Sequence, residues 1–148
     1  MFRNLFIAFA VGLLGACSQG ESGAQSAQQE SSQTDVVEAQ ETQITNVSAT
    51  EAAALLKARP EVVILDVRTP AEFATKHIEG ALNFDVKSAD FAAQISKLDT
   101  SKTYLVHCRS GARSTRSLAV FKEKGFTNII HMNGGFIDWN NSGLPSVQ

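Results

Sequence analysis

Tyr104-Leu-Val-His-Cys108-Arg-Ser-Gly-Ala-Arg113-Ser114 is the stretch on which the reading of this chain turns. Leu105 and Val106 belong to an apolar, strand-forming run that stops at Cys108. A loop of small residues follows, in which Gly111 relaxes the backbone. Ser114-Thr115 then open an amphipathic segment that runs through Leu118 and Phe121 to Gly125, a residue suited to a helix C-cap. In a parallel α/β sheet, ligands bind beyond the carboxyl ends of the strands, and this order of elements puts Cys108 there. The start of the next helix offers unpaired N–H groups and the positive end of the helix dipole. Both favour a thiolate, so the cysteine is expected to be nucleophilic at neutral pH. Arg109, Arg113 and Arg116 add positive charge, and no acidic residue occurs between Asp99 and Glu123. The pattern suits an anionic, sulfur-bearing substrate.

Working outward, Val62 to Arg68 is a near-continuous apolar run, as expected of a parallel strand covered on both faces. Thr69-Pro70-Ala-Glu72 reads as a capping box with proline at the first helical position, and His77-Ile78 and Gly80 end that helix early. Upstream, Ile44–Val47 reads as an edge strand, and Ser48 with Glu51 caps a helix that Pro60 stops. Between the two central runs, Ala81–Val86 is expected as a strand and Ser88–Leu98 as a helix with Phe91, Ile95 and Leu98 on one face. Asn128–Met132 is the last strand. Gly134-Gly135 turns into a short helix carrying Trp139, read as core packing, and Gly143-Leu-Pro145 closes the chain. Strands alternating with helices predict an α/β fold with a parallel, doubly wound sheet.

These motifs carry a family resemblance. Cys108-Arg-Ser-Gly-Ala-Arg113 resembles the active-site loop of the rhodanese family. Leu65-Asp66-Val67-Arg68-Thr-Pro-Ala-Glu72-Phe73 and His77-Ile78-Glu-Gly80-Ala81-Leu-Asn83 are similar to its first signature, and Asn133-Gly134-Gly135, Trp139 and Gly143-Leu-Pro145 to its second. Phe84-Asp85 departs from the family, many of whose members have an aliphatic residue and proline there. The resemblance covers residues 44–148. It implies a single rhodanese-like domain with a central, mainly parallel five-stranded sheet flanked by helices. It also implies sulfane-sulfur transfer through a Cys108 persulfide, from a donor such as thiosulfate to cyanide, a thiol or a protein acceptor, without metal or organic cofactor.

Of the 148 residues, those before the domain read differently. Residues 1–17 form a targeting segment: Arg3 supplies one positive charge, and Leu5–Leu14 is an apolar run too short for a membrane span of roughly 20 residues. Leu14-Gly15-Ala16-Cys17 resembles a bacterial lipobox, which implies lipidation at Cys17. Ser18 after it resembles lipoproteins sent to an outer membrane, so the expected location is the cell envelope, facing the periplasm. Residues 18–43 hold five acidic residues, seven Gln, five Ser and no Lys or Arg, a composition that stays a solvated tether. Residues 44–148 hold twelve basic and ten acidic residues. The basic residues do not cluster beyond the loop, so no nucleic-acid partner is expected.

Within the domain, Cys108 is the catalytic candidate. Its only possible disulfide partner, Cys17, would be consumed by lipidation, and without a resolving cysteine a dithiol oxidoreductase is disfavoured. Arg109, Ser110, Gly111, Ala112 and Arg113 are the substrate-binding candidates. Arg109 suits an exposed thiosulfate contact, while Ser110 and Gly111 act through backbone N–H groups. Arg113 either contacts ligand or pairs with Glu72 or Asp66. Asp66, Arg68 and Glu72 are read as bracing the scaffold beside the loop rather than moving protons. His77, His107 and His131 lack metal-ligand spacing and are read as structural. Two rival functions are weighed. Phosphatases and arsenate reductases of the related cysteine-loop class have five residues between Cys and Arg; here there are four, a smaller loop that suits one sulfur better than a phosphate. Non-catalytic binding modules of the family commonly lose the cysteine, which is present here.

Overall fold

The computed structural model describes residues 41–148. The targeting segment expected over residues 1–17, with Cys17, and all but the last residues of the tether lie outside the described residues. Five strands form one parallel sheet: β1 (Gln43–Val47), β2 (Val63–Asp66), β3 (Leu82–Asn83), β4 (Thr103–His107) and β5 (Asn128–Met132), in the spatial order β1-β5-β4-β2-β3. The domain opens at Gln43, one residue before the expected boundary, because Gln43 already pairs with Asn128. Helices α1 (Ala49–Ala58), α2 (Pro70–Thr75), α3 (Phe91–Ile95), α4 (Ala112–Glu123) and α5 (Gly135–Asn141) flank the sheet.

Alternation along the central strands builds two cores. Leu105, Ile130 and Met132 point to one face, where Ala49 and Ala52 of α1 and Phe136 and Trp139 of α5 cover them. Tyr104, Val106, Cys108 and Ile129 point to the other, against Phe91, Ile95, Phe121 and Phe126. On that second face Phe121 meets Phe91 and Phe126 edge to face, and Phe126 meets Tyr104 in the same way, an arrangement aromatic rings prefer to direct stacking. Trp139 also donates its indole N–H to Pro145 O at 2.8 Å, so the tail after Gly143 is held down by the residue that packs the core.

Both capping boxes form: Ser48 Oγ accepts from the Glu51 N–H and Thr69 Oγ1 from the Glu72 N–H, with each Glu returning to the cap backbone. Gly125, at φ +76° just past α4, reverses the chain as expected. The third strand and third helix are shorter than expected. Beyond Asn83 the chain still hydrogen-bonds to β2 and the residue after it, Phe84 N to Asp66 O and Val86 N to Val67 O. Asp85 then starts a turn, accepting from Lys87 N and Ser88 N. Helix α3 therefore begins only at Phe91. Leu98, though past its end, still packs on the same core as Phe91 and Ile95. Among the described residues no helix is long and apolar enough to cross a membrane.

Candidate active site

Cys108 is the first residue after β4 and is fully buried. Its loop is shaped from behind by the start of α5. Phe136 N donates to Cys108 O at 2.8 Å and Ile137 N to Arg109 O at 2.9 Å, which ties the loop carbonyls on the side of α5. The N–H groups of Ser110, Arg113 and Ser114 turn to the sulfur instead. Two glycines permit this closeness. Gly111 has φ +88°, and a Cβ there would overlap the carbonyl oxygen of Asn133; Gly135, at φ +63°, lies against the backbone of Cys108 and Arg109. The Asn133-Gly134-Gly135 turn and the cysteine loop thus fit each other backbone to backbone.

Burial pushes the Cys108 thiol up. The Ser114 hydroxyl and N–H, with the N–H groups of Ser110 and Arg113, outweigh it and hold the thiol below its usual range. This is the electrostatic effect expected of a loop at a helix start. Ala112 stands exposed at the first position of α4 and adds backbone only. Arg109 and Ser110 are exposed at the rim. A groove of about 400 Å3 beside the loop is lined by Arg68, Lys76, Arg109, Phe136 and Ile137 among others.

The alternatives for Arg113 resolve toward pairing, with Glu72 rather than Asp66. Its guanidinium makes two 2.7 Å hydrogen bonds to the Glu72 carboxylate, which holds that carboxyl at about 2 against the opposing effect of burial, with help from Thr69. Glu72 in turn raises the Arg113 guanidinium, and Cys108 contributes to the same shift. Arg113 therefore stays cationic next to the sulfur with two of its five N–H donors held by Glu72. Asp66 and Arg68 brace the scaffold beneath. Arg68 donates to Asp66 through Nε and Nη2 at 2.6 to 2.9 Å, to Lys76 O at 2.7 Å, and lies 4.1 Å over the Phe136 ring. Neither side chain hydrogen-bonds to the sulfur loop. Among the described residues no group of three or more His, Cys, Asp or Glu is placed to hold a metal ion.

The rhodanese-like domain matches residues 48–142. The chain belongs to the rhodanese-like family. It is 36% identical over 112 residues to thiosulfate sulfurtransferase 16 of Arabidopsis thaliana, covering 69% of this chain and 92% of that protein. It is 33% identical over 87 residues to a sulfurtransferase of Allochromatium vinosum, covering 59% and 79%. A rhodanese-related protein from Thermoplasma volcanium superposes with a TM-score of 0.61 at 26% identity, covering 70% and 97%. Other curated relatives are longer: the match spans 58% of an uncharacterised Synechocystis protein and 26% of the probable adenylyltransferase/sulfurtransferase MoeZ of Mycobacterium tuberculosis.

In this rhodanese-like site the structure adds residues that the sequence reading passed over. Ser114 Oγ lies 3.5 Å from Cys108 Sγ and 2.9 Å from His131 Nε2, and His131 Nδ1 lies 2.9 Å from Asn46 Oδ1. Strand alternation could have found His131: counted from Ile129, it points to the face that carries Cys108. The other two histidines are structural as expected. His77 stacks on Phe73 at 3.8 Å and its backbone pairs with Val147. His107, fully buried, faces Asp66 with Nε2 at 3.9 Å, and its burial pushes the imidazole down.

Proposed function

We propose that this domain is a sulfurtransferase that carries sulfane sulfur on Cys108. The observation that carries the reading is a fully buried cysteine at the end of β4 with the Ser114 hydroxyl 3.5 Å from its sulfur; that hydroxyl and three loop N–H groups favour its thiolate. A nucleophile so placed, with no second cysteine among the described residues, suits a carrier better than a dithiol couple. The names borne by the Arabidopsis and Allochromatium relatives support the same chemistry.

In the first half-reaction the Cys108 thiolate attacks the outer sulfur of thiosulfate. The new S–S bond forms, the old one breaks, and sulfite leaves with its electron pair. The persulfide anion rests against the loop N–H groups, donors oriented before the charge arrives. In the second half-reaction a thiophilic acceptor, cyanide or a thiolate, takes the outer sulfur and returns the electron pair to Cys108 Sγ. Two displacements through one covalent intermediate give ping-pong kinetics. Arg109, at the rim, attracts the dianionic donor; Arg113 keeps positive charge beside the sulfur without leaving Glu72. Leu14-Gly15-Ala16-Cys17 supports a lipid anchor at Cys17, which would hold the domain at an outer membrane on its periplasmic side.

Intact-mass spectrometry tests the carrier. Incubation with thiosulfate should add the mass of one sulfur atom, and cyanide should remove it. A protein that never gains sulfur from thiosulfate or any other sulfane donor would sink the proposal.

A further inference from the structure

Ser114 Oγ is a meeting point. Besides Cys108 Sγ at 3.5 Å and His131 Nε2 at 2.9 Å, it lies 2.9 Å from Gly111 O. Ser114 is fully buried and His131 is 2% exposed, whereas Asn46 stands exposed on β1. A hydroxyl has one hydrogen to give and two lone pairs to receive. Ser114 therefore cannot donate to the sulfur, the carbonyl and the imidazole together. A thiolate is the strongest claimant when charged, because hydrogen bonds to ions are about twice as strong as neutral ones; once capped, the same sulfur is the weakest acceptor of the three.

His131 decides which arrangement is complete. Burial pushes its imidazole down, opposed by the Gly111 backbone, so near neutral pH it has one donor nitrogen and one acceptor. With the hydrogen on Nε2, His131 donates to Ser114 Oγ and Ser114 passes its own hydrogen to the sulfur. With the hydrogen on Nδ1, His131 donates to Asn46 and takes the Ser114 hydrogen for itself. Asn46 suits both cases, since its amide holds a donor and an acceptor and its exposed position lets it rotate. Gly111 O already accepts from the Thr115 N–H at 2.8 Å and the Thr115 hydroxyl at 2.9 Å, so it does not need the Ser114 hydrogen. The three residues are left with two fully bonded states that differ in whether the sulfur receives it.

We propose that Asn46, His131 and Ser114 form a two-state relay that gives Cys108 Sγ a hydrogen bond when it is a thiolate and withdraws it when the sulfur is capped. The catalytic meaning rests on the sulfurtransferase reading. When the acceptor attacks the outer sulfur of the persulfide, the S–S bond breaks and its electron pair returns to Sγ; the Ser114 hydrogen meets that charge and makes Sγ a better leaving group. Ser114 touches the reacting atom, while His131 and Asn46 are positioning residues. The other groups around the sulfur are the Arg113 guanidinium with its Glu72 partner, Arg109 at the rim, and His107 immediately before Cys108.

Alkylation of Cys108 by iodoacetamide, followed as rate against pH, reports the thiolate without any sulfur donor, so it separates this proposal from the function above. Ser114→Ala should move the midpoint to higher pH, with rates below the midpoint lower on the order of tenfold, the loss expected for one charge-assisted hydrogen bond. His131→Leu should move it the same way by less. The double variant should match Ser114→Ala alone, because His131 acts through Ser114. In the unaltered protein, nitrogen-15 NMR of the His131 ring should show the hydrogen on Nε2 in the free thiolate and on Nδ1 after alkylation. That measurement decides the matter even where a variant does not fold. An unmoved midpoint in folded Ser114→Ala overturns the relay. So does a His131→Leu effect that persists without Ser114, or a tautomer that ignores capping.

Discussion

Arg113 and Glu72, 41 residues apart in sequence, face each other through two hydrogen bonds of 2.7 Å each. The fork joins the first turn of α4 to the first turn of α2 and so holds one wall of the cysteine loop against the β2–α2 connection. Glu72 also closes the Thr69 capping box. One carboxylate thus serves a helix start and a cation at once.

Glu72→Gln should lower stability at pH 7 by about 1–2 kcal/mol, a figure discounted for the partial exposure of the pair. The sign follows from a carboxyl at about 2 in the folded chain against roughly 4.3 when unfolded. A depressed carboxyl stabilises the fold above its unfolded value, and that contribution fades as pH falls through the folded one. Urea unfolding of both proteins should therefore show a gap at neutral pH that narrows between about pH 4.3 and 2.

Gly111→Ala should cost more than about 2 kcal/mol, because it combines a positive φ with overlap at Asn133 O, and persulfide loading should fall with it. Gly80 is the control. It also has positive φ, but nothing lies within 4 Å of a Cβ there, so Gly80→Ala should cost about 1 kcal/mol and leave sulfur loading intact. Equal losses at both positions would show that the Asn133 contact is unimportant.

Arg68→Ala should destabilise by about 3–5 kcal/mol, since it strands a fully buried Asp66 without its partner. Arg109→Ala at the exposed rim should leave stability within about 0.5 kcal/mol. Its effect belongs in donor capture: KM for thiosulfate should rise, and the difference from wild type should shrink as salt screens the charge.

Cys108→Ser should abolish sulfur transfer from thiosulfate to cyanide, because a serine oxygen forms no persulfide, and change stability by about 1 kcal/mol at most. Turnover by a folded Cys108→Ser protein would contradict the carrier mechanism.

Cys17→Ala should release the protein from membranes or leave it as an unprocessed precursor. Fractionation of wild-type cells, with mass analysis of the mature N-terminus, checks this. A free, unacylated wild-type protein would remove the lipid anchor.

The β4–loop–α4 unit was legible because strand, cysteine, glycine and amphipathic helix are local signals, each with its own residue type. Both capping boxes were legible for the same reason. What escaped the sequence was long-range. Arg113 could have turned to Asp66, Glu72 or a ligand, and only the packing of α2 beside α4 decides among them. The contacts of His131 left no local signal, because Ser114 and Asn46 reach it from a helix and another strand. The third strand ends early for a different cause: Ala81 to Val86 has strand-like composition, but the turn that starts at Asp85 breaks the ladder after Asn83 and leaves only single hydrogen bonds from Phe84 and Val86.

The pairing of β1 with β5 makes the first strand of the domain wait for the last. Non-local pairing of this kind forms late, after the entropy of a long loop has been spent. A chain still emerging from the ribosome can contain Cys108 without the Asn133 turn beside it, the α5 backbone behind it or the histidine that addresses its serine. The donors that lower the thiol sit in residues 110–114, but the backbone that holds their loop in shape comes from α5, so the nucleophile's setting is finished only when the last helix has packed behind it.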